Sequence, residues 1–265
     1  MSAGQTAPNR IRSSTEAYLR VLHALMLRDM RTRFGGSHLG YAVVVLWPVV
    51  HLFVLVSIYV FRKVPAPLGE SRALFFATGA VTVLIFQYIS KEVMKAVIMN
   101  KPLTYYPQVK NFDVVLARIL VEIITGFLGL LTVMSTLIAL GVNPLPVDPI
   151  AAIAGYCAAI ALGIGIGTIN IGIIAFFPGW LIGYQLFNIL MYVASGVMFL
   201  PHYLPKQIYD ILKYNPAMQV IEWVRLGYYP NMGVKVDYMY VMLFSSAALT
   251  LGLLLERLVV RRRSS

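Results

Sequence analysis

Long apolar runs, separated by short breaks rich in proline, glycine and charge, dominate the pattern of this chain. A membrane span needs about 20 consecutive apolar residues to cross the hydrocarbon core of a bilayer. The runs predict six transmembrane helices, at residues 41–61, 73–90, 114–140, 150–177, 180–200 and 238–256. We therefore expect an all-α membrane protein with a single transmembrane domain over residues 1–265.

The segment before the first span has a different pattern. Residues 15–34 place charged side chains such as Glu16, Arg20 and Arg31 on one side of a helical wheel and Leu22 and Leu25 on the other. A basic amphipathic helix of this kind lies in the membrane interface. The pattern predicts an N-terminal interface helix that joins the first span through a glycine hinge.

Residues 201–236, before the last span, are too hydrophobic for a solvated loop and too often broken by proline for a continuous span. Irregular backbone at membrane depth persists only where it packs on protein or lines a water-filled cavity. We expect re-entrant helices here. Seven tyrosines lie between Tyr203 and Tyr240, together with Trp223. They fit either an aromatic belt at the outer interface or a surface on which sugar rings stack, and the sequence leaves both open.

Residues 95–113, between the second and third predicted spans, are basic and carry Tyr105 and Tyr106 between two prolines. The segment fits either a coupling segment that docks onto a cytoplasmic partner or a helix that lies against lipid.

Composition and charge support a membrane protein. The chain is 59% hydrophobic and 12% charged, with a net charge of +11. Soluble proteins average about a quarter charged residues. The basic residues flank the apolar runs, as topology signals do, so no nucleic-acid partner is predicted. With six spans, 15 of the 22 lysines and arginines fall on the side that holds both termini, and the positive-inside rule places that side in the cytoplasm.

Motifs for chemistry are missing from the sequence. There is no GxxxxGK[ST] loop for a nucleotide, no HExxH metal motif and no serine nucleophile elbow. We expect no metal site, no cofactor bound by this chain and no enzymatic activity of its own. Arg118 and Glu122 are one helical turn apart near the start of the third span and fit a self-satisfied pair.

Small residues recur at four-residue spacing, as at Gly163 and Gly167. Such spacing lets helix backbones approach closely in lipid. It serves dimerisation and packing within one chain equally well.

Two stretches carry a family resemblance: RDMRTRFGGSHLGYAVVVLWPVVH at 28–51 and YNPAMQVIEWVRLGYYP at 214–230. With the six predicted spans, the chain resembles the permease subunits of ABC-2 type exporters, which have the type V exporter fold. It is most similar to the capsular-polysaccharide export permeases of Gram-negative bacteria, the KpsM-like proteins. The resemblance covers nearly the whole chain.

The resemblance implies a homodimer in the bacterial inner membrane with a dimer of ATPase subunits on its cytoplasmic face. ATP and magnesium would bind those subunits. The implied substrate is a lipid-linked acidic capsular polysaccharide, and a periplasmic adaptor and an outer-membrane export channel are implied as further partners.

Candidate site residues follow from this arrangement. The hypothesis for the substrate pathway comprises Trp47, His51, Phe53, Tyr59, Tyr203, Trp223 and Arg225. Candidate cations at the outer rim are Arg62, Lys63 and Arg72. Candidates for docking the ATPase subunit are Arg28, Arg31, Arg33, Lys101, Tyr105, Tyr106, Gln108 and Lys110.

Three alternatives remain at this point. A related permease could carry O-antigen, teichoic acid or small molecules. An ion-coupled secondary transporter would need acidic residues near the midplane of its spans. The sequence places only Glu122 within a span, and near the end of that span, which weighs against this class. A membrane-embedded transferase would have to use scattered groups such as His202, Asp210 and Glu222, which lack motif spacing.

Overall fold

The computed structural model describes residues 7–33, 38–63, 65–105 and 109–257, with the side chains of 7–14, 33, 38 and 104–105 left aside. This part of the chain is helical. The α-helices are α1 (Ala7–Arg33), α2 (His38–Phe61), α3 (Arg72–Met99), α4 (Asn111–Ala139), α5 (Pro149–Phe176), α6 (Trp180–Ala194), α7 (Lys206–Leu212), α8 (Pro216–Tyr228) and α9 (Tyr238–Leu255). Short 3-10 helices cover Lys101–Tyr105 and Pro201–Tyr203.

Local sequence signals define the starts of four of these helices. Ser71, Asp148, Asn215 and Asp237 each accept a hydrogen bond from a backbone N–H in the first turn of α3, α5, α8 and α9. Such side chains satisfy donors that have no partner within the helix. Proline also stands in the first turn of α5 and α8, where its missing N–H costs nothing.

Helix α3 forms the centre of the bundle and packs against α2, α4, α5 and α8. Of its most apolar 18 residues, 78% are buried, against 17% in α2 and 22% in α9. Gly163 and Gly167 of α5 face α3, where an added Cβ would lie 3.0 Å from the Phe86 carbonyl oxygen and 2.8 Å from Val93 Cβ. In this structure the glycine spacing therefore serves packing within the chain.

Five helices of the described part are long and apolar enough to cross a membrane: α2, α3, α4, α5 and α9. The predicted span at 180–200 is a shorter helix in the structure. Helix α6 ends at Ala194 after 15 residues, and a helix of that length extends only about 22 Å. The chain then turns at Gly196, whose φ of +77° is in the left-handed region that favours glycine.

The remaining span predictions agree with the helices in position but differ at the ends. Helix α3 continues from the predicted end at 90 to Met99, so that residues 95–99 belong to α3 rather than to a separate coupling segment. Helix α1 begins at Ala7, eight residues before the predicted start at 15.

Helices α5 and α9 run side by side in the same direction. Gly165 of α5 lies against Ser245 and Ala248 of α9, and Gly172, further along, lies against Leu255. Since α5 ends where α9 also ends, the intervening chain has to return across the bundle before α9 begins. The segment that returns is α6 with residues 195–200.

Helix α1 packs on the start of α4. Leu22 and Leu25 are buried there against Ala117, with Leu103 and Val109 beside them. The predicted apolar face of the interface helix is thus covered by protein.

The broken segment before α9 folds as two short helices. Helix α7 is mostly exposed, whereas α8 is buried along most of its length and packs against α3, α5 and α9. Gly227 is in direct contact with Ala152 of α5, which fixes α8 against the start of α5.

Candidate functional site

A groove between α2, α3 and α6 is lined by polar and aromatic side chains within the apolar bundle. Its volume is about 350 Å³, within the range of small-molecule pockets. The polar and aromatic side chains of its wall are Trp47 and His51 of α2, Gln87, Tyr88 and Lys91 of α3, and Gln185, Asn188 and Tyr192 of α6.

Helical spacing produces this arrangement. Trp47 and His51 are four residues apart, and Gln185, Asn188 and Tyr192 follow at intervals of three and four, so each set occupies one helix face. Polar side chains in membrane helices are costly unless they face the bundle interior or a cavity. Three polar stripes on otherwise apolar helices therefore meet in one groove.

Hydrogen bonds tie the walls together. His51 Nε2 and the Tyr192 hydroxyl lie 2.6 Å apart and join α2 to α6. Gln87 Nε2 donates to the backbone carbonyl of Asn188 at 2.6 Å and joins α3 to α6. The His51 and Tyr192 rings meet edge to face, with centroids 5.3 Å apart. The shape of the groove is thus fixed by side chains of its own wall.

One polar atom of the groove lacks a partner among the described residues. Asn188 is 6% exposed, and its Oδ1 accepts no hydrogen bond from the described part of the chain. A buried acceptor without a donor is unfavourable. Asn188 thus contributes an enclosed, unsatisfied acceptor behind the groove wall.

The predicted pathway residues of α2 separate into two groups. Trp47 and His51 line the groove, whereas Phe53 is 71% exposed and is not part of its wall. Tyr59 lies nearer the end of α2, where its hydroxyl donates to the Met198 carbonyl at 2.7 Å. The structure thus brings together two of the four predicted residues of this helix.

The predicted residues of the outer segment are also dispersed. Tyr203 is 73% exposed, and Trp223 meets Tyr238 edge to face with ring centroids 4.6 Å apart. Arg225 is fully buried and donates to the carbonyls of Gly196, Val197 and Phe199. In this conformation Arg225 is enclosed by protein and does not reach a substrate surface.

The predicted rim cations lie at the end of the bundle where α2 stops and α3 begins. Arg62 and Lys63 are exposed. Arg72 lines a second cavity of about 920 Å³ together with Glu70 and Tyr229. Arg72 therefore lines this cavity, and Arg62 and Lys63 are not part of its wall.

The described residues among those predicted to dock an ATPase subunit are at the opposite end of the bundle. Arg31, Lys101 and Lys110 are exposed, and Arg28 is half-buried. Arg33 and Tyr105 are in described helices, but their side chains, like all of Tyr106 and Gln108, lie outside the described residues.

A buried charge cluster connects α1, α3 and α4 near this end. Arg118 Nη2 lies 2.7 Å from Asp29 Oδ1, and Arg118 Nη1 lies 3.6 Å from Glu92 Oε2. Lys95 in turn binds Glu92 at 2.9 Å. Arg118 therefore binds carboxylates of two neighbouring helices, which the sequence reading of an Arg118–Glu122 pair did not anticipate.

The outer segment holds a further buried acid, Glu222. Both carboxylate oxygens of Glu222 are buried without a hydrogen-bond partner in the described ranges. No group of three or more His, Cys, Asp or Glu side chains in the described part forms a candidate metal site.

Several groove residues are not among the site residues predicted from the sequence. The signal for them in the sequence is a polar side chain inside a predicted span. Gln87, Gln185, Asn188 and Tyr192 interrupt apolar runs, and the helical spacing of the last three puts them on one face. Lys91 lies one residue beyond the predicted end of the second span at residue 90, so the span prediction does not include it.

The helices and the groove together define an integral membrane protein with a polar surface inside its bundle. The polysialic acid transport protein KpsM of Escherichia coli is 30% identical to this chain over 251 residues, 93% of this chain and 96% of that protein. The capsule polysaccharide export inner-membrane protein CtrC of Neisseria meningitidis serogroup B is 25% identical over 235 residues, 88% of this chain and 89% of the relative. BexB of Haemophilus influenzae, a capsule polysaccharide export inner-membrane protein, is 22% identical over 232 residues, 88% of each chain. No family model matches. The chain belongs to the family of capsule export inner-membrane proteins that includes KpsM.

Proposed function

We propose that this chain is the permease subunit of an ATP-driven exporter that moves capsular polysaccharide across the bacterial inner membrane. The family relationship over nearly the whole chain supports this function. The observation that carries it is the groove between α2, α3 and α6, because amides, tyrosines and a tryptophan suit a polyhydroxylated chain better than an apolar drug. Sugar hydroxyls exchange hydrogen bonds with amides, and aromatic rings stack on the C–H faces of pyranoses.

The energy source belongs to a partner. The sequence has no phosphate-binding loop, so we propose a dimer of ATPase subunits at the end of the bundle that carries α1 and the start of α4. Arg31, Lys101 and Lys110 are exposed at that end and would contact the ATPase subunits. The permease itself acts as a homodimer, and a periplasmic adaptor and an outer-membrane channel complete the route.

We further propose that both termini are cytoplasmic. The parallel packing of α5 and α9 supports a sixth crossing, made by α6 with residues 195–200 and completed by the re-entrant helices α7 and α8. The positive-inside rule then places the basic ends of the chain in the cytoplasm.

Replacing Trp47 with alanine tests the function of the groove. Trp47 is 45% exposed on the groove wall, so the change removes a stacking surface without opening the core. We expect surface polysaccharide to fall at least about tenfold, since losing about 1.4 kcal/mol of binding already produces that factor. The measurement is surface polysaccharide in cells that depend on the variant for export, together with its level in the membrane.

Leu46→Ala is the matched control. Leu46 is similarly exposed on α2 but is not part of the groove wall, and its replacement should leave export unchanged. Normal surface polysaccharide with Trp47→Ala, at normal membrane levels, would contradict the transport role of the groove.

A further inference from the structure

A cavity of about 920 Å³ lies at the end of the bundle where α2 stops and α3 begins. The apolar part of its wall includes Val56 and Val60 of α2, Leu74 of α3 and Val142 of the loop after α4. Helices α2, α3 and α4 are each long and apolar enough to cross a membrane. Since their ends meet at this cavity, it lies at the level of the membrane interface, where lipid headgroups are found.

Two opposite charges stand side by side in the wall of this cavity. Glu70 and Arg72 both line it, and they flank Ser71, whose backbone is extended. Side chains on either side of an extended residue point in the same direction. Ser71 accepts a hydrogen bond from the backbone N–H of Leu74, and this cap holds the backbone between the two charges in place.

The loop before α3 is packed against the rest of the protein. Gly69 has a φ of +67°, in the left-handed region that favours glycine. A Cβ added to Gly69 would lie 2.8 Å from Cε1 of Tyr229, which is another residue of the wall. The charged side of the cavity therefore has a defined shape.

The ion pairs and hydrogen bonds of the described part leave both charges unused. Its ion pairs join other residues. The Nε atom of Arg72 is buried without a hydrogen-bond partner among the described residues, whereas its Nη atoms are not enclosed in this way. Arg72 is also the first residue of α3, where the helix dipole favours anions over cations. Helix stability therefore does not explain an arginine at this position.

We propose that this cavity binds the headgroup of a phospholipid that carries both a phosphate and a primary ammonium group. In it, Arg72 binds the phosphate, Glu70 binds the ammonium, and the apolar wall contacts the upper part of the acyl chains. The ligand is a lipid of the surrounding bilayer, so the proposal goes beyond the export function and does not depend on it.

The chemistry of the wall favours this class of lipid. A guanidinium binds phosphate oxygens through pairs of N–H donors, and an ammonium group forms a charge-assisted hydrogen bond to a carboxylate. An anionic headgroup without an ammonium would leave Glu70 unpaired beside the phosphate. The apolar residues favour a lipid over a soluble phosphate ion, because burying hydrocarbon is favourable in itself.

Counting bound lipids tests the site directly. The full-length protein is purified in detergent and mixed with phosphatidylethanolamine, phosphatidylcholine or phosphatidylglycerol of identical acyl chains, and bound lipids are counted by native mass spectrometry. The wild type should bind phosphatidylethanolamine about tenfold more tightly than the other two, the factor expected for one charge-assisted hydrogen bond. Phosphatidylcholine has no N–H to donate to Glu70, and phosphatidylglycerol has no ammonium group.

Variants of the two charged residues test their roles separately. Glu70→Gln should bind phosphatidylethanolamine no more tightly than phosphatidylcholine. Arg72→Gln should weaken all three lipids, and Arg72→Lys should keep the preference for phosphatidylethanolamine. Arg62→Gln is the matched control, because Arg62 is exposed at the same end of the bundle but is not part of the wall. It should bind lipids as the wild type does.

Three results would overturn the proposal. The first is equal binding of the three lipids by the wild type, and the second is an equal loss of binding in Arg62→Gln and Arg72→Gln. The third is binding of soluble phosphoethanolamine as tight as that of the lipid, because the site would then take a small ion without acyl chains. Glu70 is exposed, so Glu70→Gln should unfold at the wild-type temperature, and its loss of preference would report the site rather than the fold.

Discussion

Replacing Arg225 with alanine is expected to destabilise the folded protein strongly. Arg225 Nη1 donates to the Gly196 carbonyl at 2.8 Å, and Nη2 donates to the Val197 carbonyl at 2.9 Å. Its guanidinium also lies 4.0 Å from the centre of the Phe75 ring. The guanidinium therefore holds the turn after α6 against α3 and α8. Losing it leaves buried carbonyls without donors, at a cost on the order of 5 kcal/mol.

The measurement is the midpoint of thermal unfolding of the purified protein in detergent, which we expect to fall by on the order of 10 °C. Arg225→Lys keeps the charge but loses the planar fork of donors and should be intermediate. Arg62→Ala, which removes an exposed arginine, should leave the midpoint unchanged. A wild-type midpoint in Arg225→Ala would contradict the structural role of Arg225.

The second large effect that we expect is the loss of stability when the charge cluster around Arg118 is broken. Arg118 is 4% and Asp29 is 5% exposed, and their side chains lie 2.7 Å apart. Removing one partner of a buried ion pair costs about 3 to 5 kcal/mol, because the other charge stays buried. Arg118→Gln should therefore destabilise the protein and loosen α1 from α4, with loss of export.

A double-mutant cycle with Asp29→Asn measures this interaction directly. The two changes together should cost less than the sum of the single changes, with a coupling of about 1 to 3 kcal/mol in unfolding free energy. Asp210→Asn is the control, because the Asp210–Lys213 pair is exposed and exposed pairs contribute little. Strict additivity of Asp29→Asn and Arg118→Gln would contradict the bridge between α1 and α4.

Most of the helices could be predicted from hydropathy, since each long span is a continuous apolar run. The end of α6 could not be predicted from hydropathy. The run at 180–200 remains apolar through Val197 and Leu200, and the turn there depends on Gly196 and on Arg225, which is distant in sequence. A tertiary contact of this kind leaves no local signal.

The groove was only partly predictable for a similar reason. Trp47, His51 and Phe53 are all candidates from the first span, but Phe53, two residues beyond His51, is not part of the groove wall. Which face of α2 meets α3 and α6 is decided by packing. Lys91 illustrates the same limit, because α3 continues to Met99 and carries this lysine along the groove instead of ending before it.

The most direct test of the export function is ATP-dependent uptake of capsular polysaccharide into inside-out membrane vesicles that contain this chain and its native partners. We expect uptake that requires ATP, is lost with Trp47→Ala and is retained with Leu46→Ala. An ATPase subunit should also co-purify with the tagged chain. Uptake that does not require ATP and depends on an ion gradient, with no ATPase subunit recovered with the tagged chain, would contradict the proposed exporter. That result would favour a secondary transporter.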